Sequence, residues 1–269
     1  MRISVAAREA YAYTGSRTFD ASRPTLAFVH GAANDHSVWA LQSRYFAHHG
    51  WNVAAVDLPG HGRSAGEPLA TVSALAGWVV ALLDALGVER AALVGHSMGA
   101  LAALHAAAEH PGRVTRLALL GASTPMPVGG ALLEAAQRDD HLAFELITGW
   151  SYSPSDQLGG NPMPGLWMTG NGLRLMERSR PGALYVDLKA CHEYADGLGA
   201  AARVRCPALV VIGERDQMVP PKSAAGLVGA LADRQVLRLP DCGHSLAVEA
   251  PDAVLDALRE FLLTPRSST

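Results

Sequence analysis

Ala91-Ala92-Leu93-Val94-Gly95-His96-Ser97-Met98-Gly99-Ala100-Leu101-Ala102-Ala103-Leu104 is the stretch whose reading decides the fold. Its first four residues read as a buried strand that ends at Gly95, and from Met98 an Ala-rich run reads as a helix halting before Pro111. The junction carries Gly-x-Ser-x-Gly in the setting that pattern requires, directly after a strand and directly before a helix. A nucleophile on so tight a turn takes a strained backbone. The flanking glycines let strand and helix pass close to it, and the hydroxyl projects above the sheet. The helix that follows offers unsatisfied N–H groups to a developing anion. A bare pentapeptide arises by chance in a Gly-rich chain; the strand–turn–helix setting is what gives this one weight.

Working outward, the same rhythm recurs. Apolar runs at 25–29, 51–56, 117–120, 208–212 and 236–239 each close on Gly, Pro or Asp. Helical patterns cover residues 72–86, stopped by Gly87, and 252–263, preceded by Pro251. Continuous apolar strands with helices between them predict an α/β fold with a parallel sheet covered on both faces. Ligands of such sheets bind at the carboxyl ends of the strands, so the residues that close each strand matter most.

A serine hydroxyl is a weak nucleophile without a base. Beyond the strand ending at Gly213 lies Asp216, and beyond the strand ending at Leu239 lies His244. A lone histidine is rarely catalytic, but three coincident strand-end placements, Ser97, Asp216 and His244, converge on one edge. Asp216 has local competitors: Glu214 is read as solvent-facing or loop-capping, and Asp241 as shaping the turn before the histidine. Oxyanion stabilisation needs two backbone N–H groups aimed at one point. Met98, after the nucleophile, and Ala32, in His30-Gly31-Ala32-Ala33 after the first strong strand, are the candidates. His30 enters the set of substrate-binding candidates, although loop packing through its ring is the favoured role.

Composition excludes much else. The 269 residues are 49% hydrophobic and 17% charged, enough to bury a large core. With 22 Lys+Arg against 25 Asp+Glu the formal net charge is −3, a poor start for a nucleic-acid partner. Gly60 and Gly62 form G-x-G, but the third glycine, Gly66, falls one residue late and no helix opens there, so Asp57-Leu58-Pro59-Gly60-His61-Gly62-Arg63-Ser64 reads as a turn lining the site. No phosphate-cradling loop is present, and the histidines, among them His48, His49, His105 and His110, form no metal-ligand spacing. No metal and no cofactor is expected. Cys191, Cys206 and Cys242 make no CxxC pair, which reads as a reducing compartment, and Cys242 reads as a packing hydrophobe. No apolar run reaches ~20 residues and no signal-peptide core is visible. A cytoplasmic protein with a small-molecule substrate, and neither nucleic-acid nor membrane partner, is the expectation; the oligomeric state stays open.

Between residues 123 and 202 the rhythm changes. Pro125, Pro127, Gly129 and Gly130 break the chain, short helical patterns follow at 131–138 and 184–194, and no strand of comparable quality occurs. This predicts a mainly helical lid inserted after the sixth strand, with 1–122 and 203–269 as the core. Trp150, Tyr152, Met163, Trp167, Met168 and Met176 lie in it. They either face the cleft, in which case the substrate is apolar, or seat the lid on the core, and no pattern decides between the two. Trp150, Trp167 and Met168 join His30 as candidate substrate contacts.

The chain resembles the α/β-hydrolase superfamily in its cap-bearing form, on His30-Gly31, the 57–64 segment, Gly95-His96-Ser97-Met98-Gly99, Gly213-Glu214-Arg215-Asp216 and Gly243-His244. The order Ser, Asp, His is that family's order. The resemblance implies a mostly parallel eight-stranded core, with Ser97 as nucleophile, His244 as base and Asp216 as the orienting acid. Serine at position 97 disfavours the aspartate-nucleophile relatives. A serine esterase for a small to medium apolar carboxylic ester follows as the leading expectation. A carbon–carbon bond hydrolase of a vinylogous diketone with the same triad is the nearest rival. Lactonases, amidases and thioesterases also remain open, and an inert ligand sensor on the same fold is the rival of another class.

Overall fold

The computed structural model describes residues 1–160 and 165–263. Its eight strands are β1 (Arg2–Val5), β2 (Arg8–Tyr13), β3 (Thr25–Val29), β4 (Asn52–Val56), β5 (Ala91–His96), β6 (Val114–Leu120), β7 (Ala208–Gly213) and β8 (Arg234–Leu239). They form one sheet in the order β1-β2-β4-β3-β5-β6-β7-β8, antiparallel at β1 and β2 and parallel from β4 onward. Helices α1 (Ala40–His48), α2 (Val72–Ala85) and α3 (Met98–Glu109) connect the strands of the first half. Between β6 and β7 come α4 (Gly130–Gln137), α5 (Leu142–Ser151), α6 (Pro154–Gln157), α7 (Met168–Glu177), α8 (Ala183–His192) and α9 (Gly197–Arg203). After β7 follow α10 (Ala225–Ala230), α11 (Leu246–Glu249) and α12 (Pro251–Leu263). No helix among the described residues is long and apolar enough to cross a membrane.

Strand side chains alternate between faces, and here both faces are buried, so β3 reads as an unbroken apolar run. Ala27 and Val29 pack with Leu83, Leu101 and Leu227 on the face covered by α2, α3 and α10. Leu26 and Phe28 pack with Trp39, Phe46 and Phe261 on the face covered by α1 and α12. Full burial of a side chain such as Phe28 contributes about 1.5–3 kcal/mol.

The antiparallel hairpin of β1 and β2 precedes the first apolar run noted in the sequence. Its strands bury only the small side chains of Val5, Ala10 and Ala12 fully, and its turn is made by Ala6 and Ala7, at φ of 48° and 61°. Such turns ordinarily use Gly or Asn, so no turn signal was there to be read. Among the inserted helices, α4, α5, α7 and α8 share a small apolar cluster of their own, which includes Leu132, Ala143, Met176 and Leu188 and also takes in Ala33. α9 packs against α3, and its Ala200 and Ala201 are buried in the sheet's own core.

Candidate active site

Ser97 sits between β5 and α3 at φ 54°, ψ −120°. Positive φ at a residue with a Cβ costs about 1–3 kcal/mol and persists only where the surroundings enforce it. The enforcing contacts are close backbone passages on either side. A Cβ on Gly99 would stand 2.4 Å from the carbonyl oxygens of Val29 and His30, and one on Gly95 would stand 2.3 Å from that of Gly99. The Ser97 N–H donates to the Leu120 carbonyl at 2.9 Å, which ties the turn to β6. Met98 is buried at the first position of α3, where a helix leaves its N–H without an intrahelical acceptor.

Asp216 and His244 come from the loops after β7 and β8. The His244 Nδ1–H donates to Asp216 Oδ2 at 2.7 Å, and the other Asp216 oxygen accepts the Val219 N–H at 2.7 Å. Both residues are buried. With Nδ1 committed to the carboxylate, Nε2 is the nitrogen that can take a proton. Glu214 instead pairs with Arg238 at the surface, and Asp241 is exposed beside Arg215. The His244 N–H donates to the Ser151 carbonyl at 2.7 Å, and its own carbonyl accepts from His96 Nε2 at 2.8 Å. Burial and the neighbouring His244 push His96 down to about 3, so its ring is a neutral strut. Ser97 and His244 line the same cavity, of about 200 Å³. No hydrogen bond joins the Ser97 hydroxyl to the ring among the described residues; such contacts commonly tighten only when substrate binds.

The loop after β3 lies against the serine. A Cβ on Gly31 would stand 3.2 Å from that of Ser97, and Ala32 lines the cavity. His30 does not reach the cavity, which corrects its inclusion among the substrate contacts. It is fully buried, its Nδ1 meets the Gly31 carbonyl at 2.8 Å, and its Nε2 accepts the Leu58 N–H at 3.1 Å. Burial, with the charge of His61, holds it down to about 4, so a neutral ring packs the loop. The 57–64 turn lines neither the cavity nor its neighbour, again unlike the expectation. Its Asp57 carboxylate is consumed by the N–H groups of His36 and Arg63 and by the His36 ring, at 2.7–2.8 Å. Asp35, His36 and Asp57 bring ligand atoms within 4.8 Å of one another, but with both oxygens of Asp57 so engaged the group is a hydrogen-bonded turn.

The cavity's upper wall is apolar, with Met126, Leu132, Ile147, Met176 and Met218. A second space of about 380 Å³ adjoins it, sharing Asn34, His96, Tyr152, Gly172 and Ser245. Trp150 lines the first space, Met168 lines the second, and Tyr152 borders both. Trp167 is two-thirds exposed (67%) and lines neither; its ring lies over Gly170 instead, which removes it from the substrate contacts. Met163 lies outside the described residues.

Sequence reasoning missed the wall residues Met126, Leu132, Ile147 and Met218 and, more consequentially, Glu249. The Glu249 carboxylate accepts the N–H groups of Ser153, Gly243 and Ser245 at 2.7–3.1 Å, gripping the His244 loop on both sides. Burial and a hydrogen bond to the Asp156 carboxyl raise it to about 7 despite those donors. One glutamate in an amphipathic stretch gives no sequence signal for such a role.

The profile of the Alpha/beta hydrolase family matches residues 26–257. The chain is 31% identical over 246 residues to the pimeloyl-[acyl-carrier protein] methyl ester esterase of Aromatoleum aromaticum, covering 86% of this chain and 95% of that one. It is also 31% identical over 261 residues to the 2-hydroxy-6-oxononadienedioate/2-hydroxy-6-oxononatrienedioate hydrolase of Paraburkholderia phymatum, covering 90% and 88%. The enol-lactonase of Burkholderia xenovorans superposes with a TM-score of 0.85 at 24% identity, over 98% of this chain and 100% of that one.

Proposed function

The chain belongs to the alpha/beta hydrolase family and is a hydrolase, and on that premise we propose that it cleaves a small to medium apolar carboxylic ester through an acyl-enzyme. The reading is carried by one observation: His244, in a buried pair with Asp216 at 2.7 Å, lines the same cavity as Ser97 on its strained elbow. His244 Nε2 takes the proton as Ser97 Oγ attacks the ester carbonyl, and Asp216 holds the ring in the tautomer that permits it. The N–H groups of Ala32 and Met98 receive the oxyanion. The protonated ring then releases the alcohol, and water activated by the same nitrogen hydrolyses the acyl-enzyme.

Within the inserted segment 123–202, α4, α5, α7 and α8 act as the lid while α9 belongs with the core, and the lid's apolar wall supports an apolar acyl group. Three buried cysteines that form no disulfide with one another fit a reducing, cytoplasmic setting. Fluorophosphonate labelling tests the mechanism: the adduct belongs on Ser97, and Ser97→Ala abolishes both labelling and turnover of p-nitrophenyl butyrate. Labelling elsewhere overturns it. The likeness to a carbon–carbon bond hydrolase supports a second reading with the same three residues. Turnover of a vinylogous diketone dienoate well above that of simple esters would establish it instead.

A further inference from the structure

Two residues far apart in sequence, His61 and Asp187, meet beneath the oxyanion loop without touching the cavity. Asp187, on α8, is fully buried, and one of its oxygens, Oδ2, takes two contacts: the Ala33 N–H at 2.9 Å and His61 Nε2 at 2.8 Å. Its other oxygen is buried without a partner among the described residues. A carboxylate is expensive in such a place. The contact must therefore be explained by what the carboxylate holds.

What it holds is the peptide that follows Ala32. The Ala33 N–H shares its peptide plane with the Ala32 carbonyl, so an acceptor at that point sets ψ of Ala32 and thereby the plane carrying the Ala32 N–H. Ala33 is itself at φ 51°, a conformation an alanine leaves unless held. We infer that Asp187 is a positioning residue for the oxyanion donor at Ala32, with His61 as the counter-charge that stops its carboxylate from opposing the oxyanion. This rests on the reading of Ala32 given above.

The His61 contacts agree. Its Nδ1 meets the Pro59 carbonyl at 3.0 Å, so Nε2 can also donate only if the ring carries both protons. Burial alone would strip that second proton, but the charge and hydrogen bond of Asp187 outweigh it and hold the ring's pKa above its ordinary value. The pair is thus neutral overall, and the inserted helices bind the oxyanion loop as well as covering it.

The test is Asp187→Asn, near-isosteric, beside His61→Gln, which keeps an N–H towards Asp187 but removes the positive charge. Removing an oxyanion donor lowers kcat about 10²–10³-fold; misdirecting one is expected to lower it on the order of tenfold or more. For p-nitrophenyl butyrate, kcat falls by that factor in either variant while KM stays within about threefold. Affinity for an alkylboronic acid, whose adduct on Ser97 fills the hole, weakens in parallel. Two folded variants with kcat within about twofold of the parent, or a change confined to KM, would overturn the inference. If Asp187→Asn does not fold, His61→Gln decides alone. Hydrolysis surviving in Ser97→Ala would sink the underlying reading instead, a separate outcome.

Discussion

Raising the pH should destabilise the folded chain through Glu249, the carboxyl that braces the His244 loop. Glu249 is buried and binds more protons in the folded chain than in the unfolded one, because its pKa is raised from 4.5 to about 7. Its stabilising contribution is therefore fully present below about pH 4.5 and is lost as pH rises through about 7. At 1.36 kcal/mol per unit, that interval corresponds to about 3 kcal/mol. Besides Asp156, the groups that face this carboxyl are Tyr152 and Cys242, and neither ionises in the window: burial raises both. Glu249→Gln removes the titration but leaves an amide N–H opposing one of the three backbone donors, at a cost of about 1–3 kcal/mol. Urea unfolding at pH 5 and pH 8 is the assay. The parent is the more stable protein at pH 5, and the gap narrows or closes by pH 8. His30, His61 and His96 titrate in both proteins, so the difference between the two slopes isolates position 249. Equal slopes in parent and variant would refute the argument.

The other expectations concern the site itself. Asp216→Asn should lower kcat on the order of 10⁴-fold with little change in KM, because the amide misorients the His244 tautomer; the serine protease triad sets that scale. Gly99→Ala places a methyl 2.4 Å from two backbone oxygens that cannot yield cheaply, and a melting curve should show a loss of about 1–3 kcal/mol or no folded protein at all. Leu132→Trp fills part of the 200 Å³ cavity and should shift preference towards shorter acyl groups across a p-nitrophenyl ester series. Trp167→Ala, off both spaces, should leave that series unchanged.

The sheet was legible because its strands are buried on both faces and leave unbroken apolar runs between punctuating residues. β3, from Thr25 to Val29, came out at its observed bounds, and Ser97, Asp216 and His244 stood out because strand ends are where a parallel sheet delivers its side chains. The β1–β2 hairpin was illegible because two short strands that bury little beyond Val5, Ala10 and Ala12, turned by two alanines, leave no apolar run and no turn signal. Partner choice was decided only by tertiary structure. Which histidine packs against the Leu58 N–H (His30), which pairs with Asp187 (His61), which braces the His244 carbonyl (His96) and which pairs with Asp216 at the cavity (His244) depends on groups 28 to 148 residues away. The same holds for Trp150 against Trp167, two indoles of the insert, of which one lines the cavity and the other covers a glycine. Local sequence sets the backbone path through steric and hydrophobic preferences of near neighbours; the environment of a buried polar group is a sum over distant chain segments, and exists only once they have packed.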